Sequence, residues 1–431
     1  MKTQFLIAAP SSGSGKTTVA RGLMALFAEE GLRVQPFKCG PDYIDTKFHE
    51  AVCGRPSVNL DTFMATNRHI TQLYAHYSRD ADVAIIEGMM GLFDGYDRDR
   101  GSSAEIAAVL GLPVVLVVDA RSAAYSLAPL LMGFRQFRHG VQLAGVIFNK
   151  VGSARHKEML RQVAQDVGLP CFGCLPKQEA MELQSRYLGL DFSRLPAHRQ
   201  LAALLREHLD IAALRALQPR NHLENPEIPE SKENLENLEN PENIENLENL
   251  GSPLVARNAE SFSFLYQETL DRFRNPLFFD PEEDAAIPSG IALLYLPGGY
   301  PEKHLPALAA AEKTRQSIRD YALQGGRIVA ECGGMMYLCK EIVTDDGCYP
   351  MCGVLPYTIT ARQADRRLSL GYRRFVLEGR EYRGHEFHYT QFLGPAPPSA
   401  AQVYNAKGEP VATPVFRWNN VLASYTHLYQ I

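Results

Sequence analysis

The chain has 431 residues, of which 45% are hydrophobic, and its formal net charge at pH 7 is −5. This length is sufficient for two or three domains with sizeable cores, and the apolar content is that of an ordinary globular enzyme. The sequence contains no apolar run long enough to span a membrane, and we expect neither a membrane nor a nucleic acid as partner.

The first apolar run, "QFLIAAP", breaks into serines and glycines, so it predicts a β-strand rather than a signal peptide. Eight cysteines occur without regular spacings, which favours a reducing compartment and a cytoplasmic location. Two close pairs, Cys171 with Cys174 and Cys348 with Cys352, lie in apolar or turn-like sequence without a histidine pair. We therefore do not expect a zinc site there.

Five apolar runs alternate with amphipathic segments of helical length in the first half of the chain. They read "QFLIAAP", "LRVQPFKCG", "DVAIIEGMM", "PVVLVVDA" and "LAGVIFNKV". Strands that are apolar throughout are typical of a parallel sheet covered by helices on both faces. Functional residues in such a fold gather at the carboxyl ends of the strands.

The first of these runs ends in "APSSGSGKTT", which predicts a phosphate-binding loop between a strand and a helix. Backbone N–H groups of such a loop surround the phosphates of ATP, a lysine reaches the terminal ones, and a hydroxyl group binds Mg²⁺. The first glycine of the usual motif would fall at Pro10, which is a departure from the pattern. The candidate ATP-binding residues here are Gly13, Gly15, Lys16, Thr17 and Thr18.

Polar residues follow the next strands of the predicted sheet. Lys38, Asp42 and Asp45 follow the second run, and Glu87 ends the third. Acidic groups beside a phosphate loop are well placed to hold Mg²⁺, so Asp42 and Glu87 join Thr17 as candidate metal ligands. Lys38, Asp42 and Asp45 are candidate substrate or phosphate contacts. Asn149 ends a later run, where its amide could bind the adenine edge or only cap a turn.

An acidic repeat separates the two halves of the chain. Residues 221–250 contain nine glutamates at every third position and one lysine, a charge of −8, so the remainder carries about +3. Residues that recur at every third position move steadily around an α-helix, so they form no apolar face. We predict a self-repelling linker at 216–251 between a synthetase domain at 1–215 and a second domain at 252–431. A tail that binds a partner is the alternative.

The second domain contains an apolar run, "GGRIVAE", that leads through Cys332 into two glycines and a helix-like run. Such a strand–turn–helix exposes a nucleophile, and the helix N-terminus lowers the pKa of a thiol. The alternative is a small buried core cysteine. The backbone N–H groups of Gly299, in the earlier turn "LPGG", and of Gly333 could bind an oxyanion, and His427 is the candidate base.

These motifs, with "GPDYIDTKFH", "EGMMGLFDG", "GHEFHYT" and "SYTHLY", occur in an order that resembles the cobyrinic acid a,c-diamide synthases. The resemblance implies an α/β protein whose N-terminal phosphate-loop domain is similar to dethiobiotin synthetase and whose C-terminal domain is a class I glutamine amidotransferase. It also implies a carbon–nitrogen ligase that uses ATP, Mg²⁺ and L-glutamine to amidate the a- and c-acetates of a corrin. Cys332 and His427 would then be the glutaminase pair.

The sequence departs from the family at several positions. Tyr429 stands where many glutamine amidotransferases have a glutamate that orients the histidine, so Glu386 or a backbone carbonyl group is left for that role. His385 and His388 remain open as catalytic or merely packed residues. Tyr187 replaces a histidine that is frequent in the family.

The sequence also admits other substrates and other classes of protein. Nickel sirohydrochlorin or hydrogenobyrinic acid could replace cobyrinic acid as substrate, and cobyric acid synthases are built from similar domains. A partitioning-type ATPase uses a related phosphate loop, but it lacks a glutaminase domain and carries a lysine where this chain has Ser11. A binding protein that has lost glutaminase activity would be expected to lack the cysteine or the histidine. A homodimer is also open.

Overall fold

The computed structural model describes residues 2–177, 198–219, 252–395 and 397–429. The chain divides into two compact units, Met1–Ser231 and Lys232–Ile431. The acidic repeat at 221–250 and Tyr187 lie outside the described residues. The predicted linker boundaries at 216–251 therefore stay a prediction.

The described part of the N-terminal unit contains seven strands and eight helices. The strands are β1 (Thr3–Ala8), β2 (Val34–Cys39), β3 (Val58–Leu60), β4 (Val83–Glu87), β5 (Pro113–Asp119), β6 (Gln142–Val151) and β7 (Cys171–Pro176). The helices are α1 (Lys16–Glu29), α2 (Asp45–Cys53), α3 (Asn67–Ser78), α4 (Ser103–Leu110), α5 (Leu127–Gln136), α6 (Ala154–Val167), α7 (His198–His208) and α8 (Ile211–Arg215).

The seven strands form one sheet in the order β3-β2-β4-β1-β5-β6-β7, and every neighbouring pair is parallel. The predicted parallel sheet is thus confirmed, with two strands that the sequence pattern missed. β3 has only three residues, and β7 is interrupted by a glycine, so neither produces a long apolar run. The strand that ends at Glu87 is consequently the fourth in the chain, not the third.

Both faces of this sheet are covered. All five residues of β4 are buried, including neighbours that point to opposite faces. On one face, α1 packs against α7 and against apolar side chains of β1, β4 and β5. Local signals set the helix ends: the Ser153 hydroxyl group accepts a hydrogen bond from His156 N at the start of α6, and Gly168 ends that helix at φ 68°.

The described part of the C-terminal unit contains three sheets and four α-helices. The strands are β8 (Pro253–Ala256), β9 (Leu277–Phe279), β10 (Leu293–Leu296), β11 (Ile328–Glu331), β12 (Glu341–Val343), β13 (Cys348–Pro350), β14 (Thr358–Thr360), β15 (Ser369–Leu377), β16 (Arg380–His388), β17 (Gln391–Phe392), β18 (Val403–Asn405), β19 (Pro410–Val411), β20 (Val415–Trp418), β21 (Val421–Ser424) and β22 (His427–Leu428). The helices are α9 (Gln267–Arg272), α10 (Leu305–Ala310), α11 (Glu312–Leu323) and α12 (Gly333–Leu338).

A six-stranded sheet in the order β20-β21-β11-β10-β8-β9 forms the centre of this unit, and only β20 runs antiparallel to its neighbour. A five-stranded antiparallel sheet, β19-β18-β15-β16-β22, and a four-stranded sheet, β13-β12-β14-β17, complete it. The carboxyl ends of the adjacent strands β10 and β11 carry the two glycine turns singled out in the sequence. Parallel pairing therefore brings these turns together.

Within the described ranges, no helix is both long and apolar enough to cross a bilayer. All eight cysteines of the chain are described, and all are free thiols.

Candidate functional site

The phosphate loop joins β1 to α1. Gly15 precedes α1 at φ 94°, and a Cβ atom there would lie 2.1 Å from Asn149 Nδ2, so this position requires glycine. The Asn149 amide donates to Ser14 O at 2.9 Å. Lys150 Nζ donates to Gly13 O at 3.0 Å and lies 3.1 Å from an oxygen of Asp119. The end of β6 thus supports the loop from the side.

Both the nitrogen and the oxygen of the Asn149 side-chain amide form hydrogen bonds, because the oxygen accepts from Lys150 N at 2.9 Å. The geometry is that of a residue that braces the loop. The contact with adenine stays a prediction.

A buried chain of hydrogen bonds leads from the loop into the interior. Thr17 Oγ1 donates to Glu87 Oε1 at 2.5 Å, and the other oxygen of Glu87 lies 2.7 Å from His49 Nε2. His49 Nδ1 lies 3.0 Å from Ser57 Oγ. Burial opposes the ionisation of Glu87, but Lys38, His49 and Thr17 together outweigh it and hold the pKa of this carboxyl group well below its usual value. Glu87 is therefore an anion beside Thr17.

Lys38 connects the acidic residues of the strand ends. Its ammonium group is buried and lies 3.1 Å from Glu87 Oε1, 2.6 Å from Asp45 Oδ2 and 3.9 Å from Asp42 Oδ2. Asp42 Oδ1 also accepts from Ile44 N and Asp45 N, each at 2.9 Å, which stabilises the entry into α2. The structure thus brings the four predicted strand-end residues together, and it gives Asp42 a turn contact as well.

This cluster fits a magnesium ion that is shared with nucleotide phosphates. No group of three or more His, Cys, Asp or Glu side chains in the described parts of the chain could hold a metal by itself. Mg²⁺ in phosphoryl-transfer sites typically needs only one or two carboxylates in addition to phosphate oxygens and water. The adjacent Thr17 hydroxyl and Glu87 carboxylate groups supply oxygen ligands of the right kind.

Two residues near this cluster were missed in the sequence. His49 lies within the motif "DTKFHE" but nothing in its spacing indicated that it would reach Glu87. Arg21 stands in the otherwise apolar run "TVARGLM", and that isolated charge was the available signal. Its guanidinium group is fully buried above the Phe48 ring, at 4.7 Å from the centroid, and none of its nitrogen atoms has a hydrogen-bond partner. Burial lowers the pKa of Arg21, against the attraction of Asp45 and Glu87.

In the C-terminal unit, Cys332 occupies the turn between β11 and α12. Its φ of 47° and ψ of −106° lie outside the regions that non-glycine residues favour, as in a nucleophile elbow. Cys332 N donates to Ser424 O at 2.8 Å, which fixes the turn to the neighbouring strand β21. A Cβ atom on Gly334 would lie 2.0 Å from Leu296 O, so glycine lets α12 pack directly on the end of β10.

The two candidate oxyanion residues lie side by side. A Cβ atom on Gly333 would lie 3.1 Å from Gly299 N, so the backbone of the cysteine turn packs against the backbone N–H of the turn after β10. A Cβ atom on Gly299 would lie 2.3 Å from Ser261 O. Both positions therefore require glycine for close approach of main chains.

His427 begins β22 and is buried. A Cβ atom on Gly298 would lie 2.1 Å from His427 Cε1, so the imidazole ring rests on the glycine turn that follows β10. Burial, and then His385 and His388, lower the pKa of His427 to about 3. The ring is therefore neutral near pH 7 and able to accept a proton.

The thiol group behaves differently from the expectation. We expected the helix N-terminus to lower the pKa of Cys332, but burial, followed by Glu302 and Glu386, raises it well above the usual value. The backbone N–H of Gly333 opposes this shift and is outweighed. Ionisation of Cys332 thus requires a base or a bound substrate, because the thiol is buried and negative charge lies nearby.

The motif "GHEFHYT" contains a buried hydrogen-bond network beside the cysteine turn, since Cys332 Sγ lies 3.9 Å from Phe387 O. Glu386 accepts from His388 Nε2 at 2.7 Å and from Arg373 Nε at 2.6 Å, and two hydroxyl groups, those of Ser369 and Thr413, each donate to it at 2.6 Å. His388 Nδ1 lies 2.8 Å from Thr390 O. Both oxygens of Glu386 and both ring nitrogens of His388 are thus engaged within this network.

Comparisons with known proteins agree with two joined activities. Residues 5–189 match the family described as "CobQ/CobB/MinD/ParA nucleotide binding domain", and residues 259–430 match the "CobB/CobQ-like glutamine amidotransferase domain". A solved structure described as "Crystal structure of glutamine amidotransferase" covers 40% of this chain and 89% of its own, with a TM-score of 0.29 and 22% identity. That last similarity is too weak to support an argument.

Two curated relatives align over 98% of the chain, and both are named hydrogenobyrinate a,c-diamide synthase. The protein of Mycobacterium bovis is 36% identical over 447 residues, which cover 94% of that relative. The protein of Brucella abortus biovar 1 is 37% identical over 443 residues, which cover 98% of that relative. With this identity and both domains in this order, the chain belongs to the a,c-diamide synthase family and is a glutamine- and ATP-dependent amidating ligase.

Proposed function

We propose that the chain amidates the a- and c-acetate carboxylates of a corrin through acyl phosphates, with ammonia released from glutamine. The observation that carries this proposal is the pairing of two separate sites in one chain. One unit has a phosphate loop beside buried acidic strand ends, and the other has a cysteine in a strained strand–helix turn beside glycine backbone and a buried histidine.

In the glutaminase, Cys332 attacks the side-chain amide carbon of glutamine while neutral His427 accepts the thiol proton. The carbonyl oxygen then becomes an oxyanion, which the N–H groups of Gly299 and Gly333 stabilise. His427 returns the proton to the leaving nitrogen, and ammonia departs. Water then hydrolyses the thioester, and glutamate is released. The lowered pKa leaves His427 uncharged before the reaction but also makes it a weak base, so the support for its role is the position of the ring against the Gly298 turn.

In the synthetase, the loop residues Gly13, Gly15, Lys16 and Thr18 bind the ATP phosphates, and Asn149 contacts the base. Mg²⁺, held by Thr17, Glu87 and Asp42, would neutralise phosphate charge when bound. Lys38 and Asp45 orient the reacting acetate. The buried ion pairs of Lys38 support this arrangement, since they keep a cation beside the acidic side chains where an anionic substrate must approach.

A carboxylate resists attack by ammonia because the attack adds charge to an anion. Transfer of the γ-phosphoryl group from ATP converts one carboxylate oxygen into part of a phosphate leaving group. Ammonia then displaces phosphate from the acyl carbon to give the amide. Two such cycles account for a diamide.

The metal content of the ring is the open part of the substrate. The sequence resemblance suggested cobyrinic acid, whereas the two relatives are named for hydrogenobyrinate. We propose hydrogenobyrinate as the first substrate to test, with cobyrinate and nickel sirohydrochlorin beside it. Each amidation replaces OH by NH₂ and lowers the mass by about one unit, so mass spectrometry counts the steps. We also propose a cytoplasmic location, which the eight free thiols support, and a homodimer, which size measurements would test.

Two variants test the division of labour. Cys332→Ser should abolish amidation with glutamine but leave amidation with ammonium salts, because the synthetase site binds its own substrates. Lys16→Ala should remove synthesis and leave glutamine hydrolysis. Loss of both activities in a folded Cys332→Ser protein, or full synthesis by Lys16→Ala, would contradict the proposal.

A further inference from the structure

The nucleophile and the base of the proposed glutaminase come from two different sheets. Cys332 follows β11 of the six-stranded sheet, and His427 begins β22 of the five-stranded sheet. Tyr429 stands where the sequence pattern would place an orienting acid. The Glu386 carboxylate is already occupied by Arg373 and His388. The backbone bond from Cys332 N to Ser424 O links the turn to β21, and a side-chain contact at the site would link it to β22 as well.

Glu331 makes such a contact. It is the last residue of β11, directly before Cys332, and it is only 1% exposed. Its Oε1 atom accepts from Leu428 N, the residue directly after His427, at 3.1 Å. Its Oε2 atom lies 2.9 Å from the hydroxyl oxygen of Tyr295 on β10. One side chain thus connects the strand of the nucleophile, the strand of the glycine turn and the strand of the base.

The charge state of Glu331 matters because of its position. Burial raises the pKa of Glu331 to about 8, against hydrogen bonds from Tyr295 and Leu428. The titratable groups around it are Tyr295 on β10 and Cys332 in its own turn, and Glu302 and Glu386 also act on that thiol. A charged Glu331 would add to the negative charge that opposes a thiolate at Cys332. A neutral carboxyl group keeps the hydrogen bonds and avoids that cost.

We propose that Glu331 is a positioning residue of the glutaminase, whose side chain ties the His427 strand to the turn that carries Cys332. It acts through Leu428 and touches neither glutamine nor the leaving ammonia. This inference rests on the proposed roles of Cys332 and His427. It is an addition to them, because neither the sequence pattern nor the family resemblance assigned a role to the residue before the nucleophile.

The test compares Glu331→Gln, Glu331→Ala and Tyr295→Phe in the full-length chain. A glutamine side chain can accept from Leu428 N and donate to Tyr295, so Glu331→Gln should keep kcat with glutamine within about threefold at pH 7. Glu331→Ala should lower kcat with glutamine at least tenfold with a small change in KM, because the base is displaced while the glutamine pocket persists. Amidation with ammonium salts should be unchanged in all three variants, and Tyr295→Phe should lie between the other two.

The pH profile adds a readout that a purely structural contact would not change. The ratio of the Glu331→Gln rate to the wild-type rate with glutamine should be near one at pH 7 and rise above pH 8, where Glu331 ionises. A flat ratio, an unchanged Glu331→Ala, or a Glu331→Gln as slow as Glu331→Ala would overturn the inference. If Glu331→Ala fails to fold, the inference is tested by Glu331→Gln alone, through its rate at pH 7 and the pH dependence of its rate relative to wild type. Loss of ammonia-driven amidation in a folded variant would instead count against the proposed function.

Discussion

Gly298→Ala offers a direct test of His427 as the base. The new Cβ atom would lie 2.1 Å from His427 Cε1, 2.8 Å from Nδ1 and 3.1 Å from Nε2. Ordinary contacts begin near 3.4 Å, so the ring must retreat by about 1.3 Å. His427 is buried and paired with β16, so this movement displaces the base relative to Cys332. A misplacement of about 1 Å typically costs about 100-fold in rate, or about 2.7 kcal/mol.

The assay measures glutamate release and amide formation with glutamine, and amide formation with ammonium salts. Gly298→Ala should lose about 100-fold in the glutamine-driven rates and keep the ammonia-driven rate. Gly347→Ala is the matched control in the same unit, since its Cβ atom would meet only the Tyr349 ring at 3.8 Å. A wild-type glutamine-driven rate in Gly298→Ala would show that the reaction does not depend on this placement of His427.

Asp42→Asn should raise the Mg²⁺ requirement and lower turnover. Asp45→Asn weakens the ion pair with Lys38 and should shift the ratio of singly to doubly amidated product. Wild-type values in both variants would show that the two aspartates are only turn and ion-pair residues. Glu386→Gln should destabilise the protein near neutral pH: burial opposes ionisation, but His388 and Arg373 outweigh it and lower the pKa of Glu386 to about 2. This stabilisation, at most about 3 kcal/mol, is present above pH 4.5 and is lost as the pH falls towards 2. Urea unfolding at pH 7 and pH 3 measures it, and equal unfolding free energies of variant and wild type at pH 7 would contradict it. Deletion of several "ENL" units should change activity little, because loop closure costs roughly 0.6 kcal/mol per doubling of length; an inactive but folded short-linker protein would show a specific role.

Local sequence patterns predicted much of the fold and singled out the turns that carry the candidate site residues. The phosphate loop and the cysteine turn each lie within about ten consecutive residues, and their conformations follow from glycine spacing and from apolar runs on either side. The parallel sheet, the two α/β domains and the family were confirmed. The short strand β3 and the glycine-interrupted β7 were missed because neither gives a long apolar run.

What the sequence determined by itself is therefore local: the strand–loop–helix units, the acidic repeat and the residues able to carry chemistry. Only the tertiary structure decided which of them meet. Glu87 bonds to Thr17 across 70 residues of sequence, and Glu331 bonds to Leu428 across 97, because strand order and register set these contacts. The raised pKa of Cys332 and the lowered pKa of His427 were also beyond the sequence, because both arise chiefly from burial, which exists only after distant segments have packed.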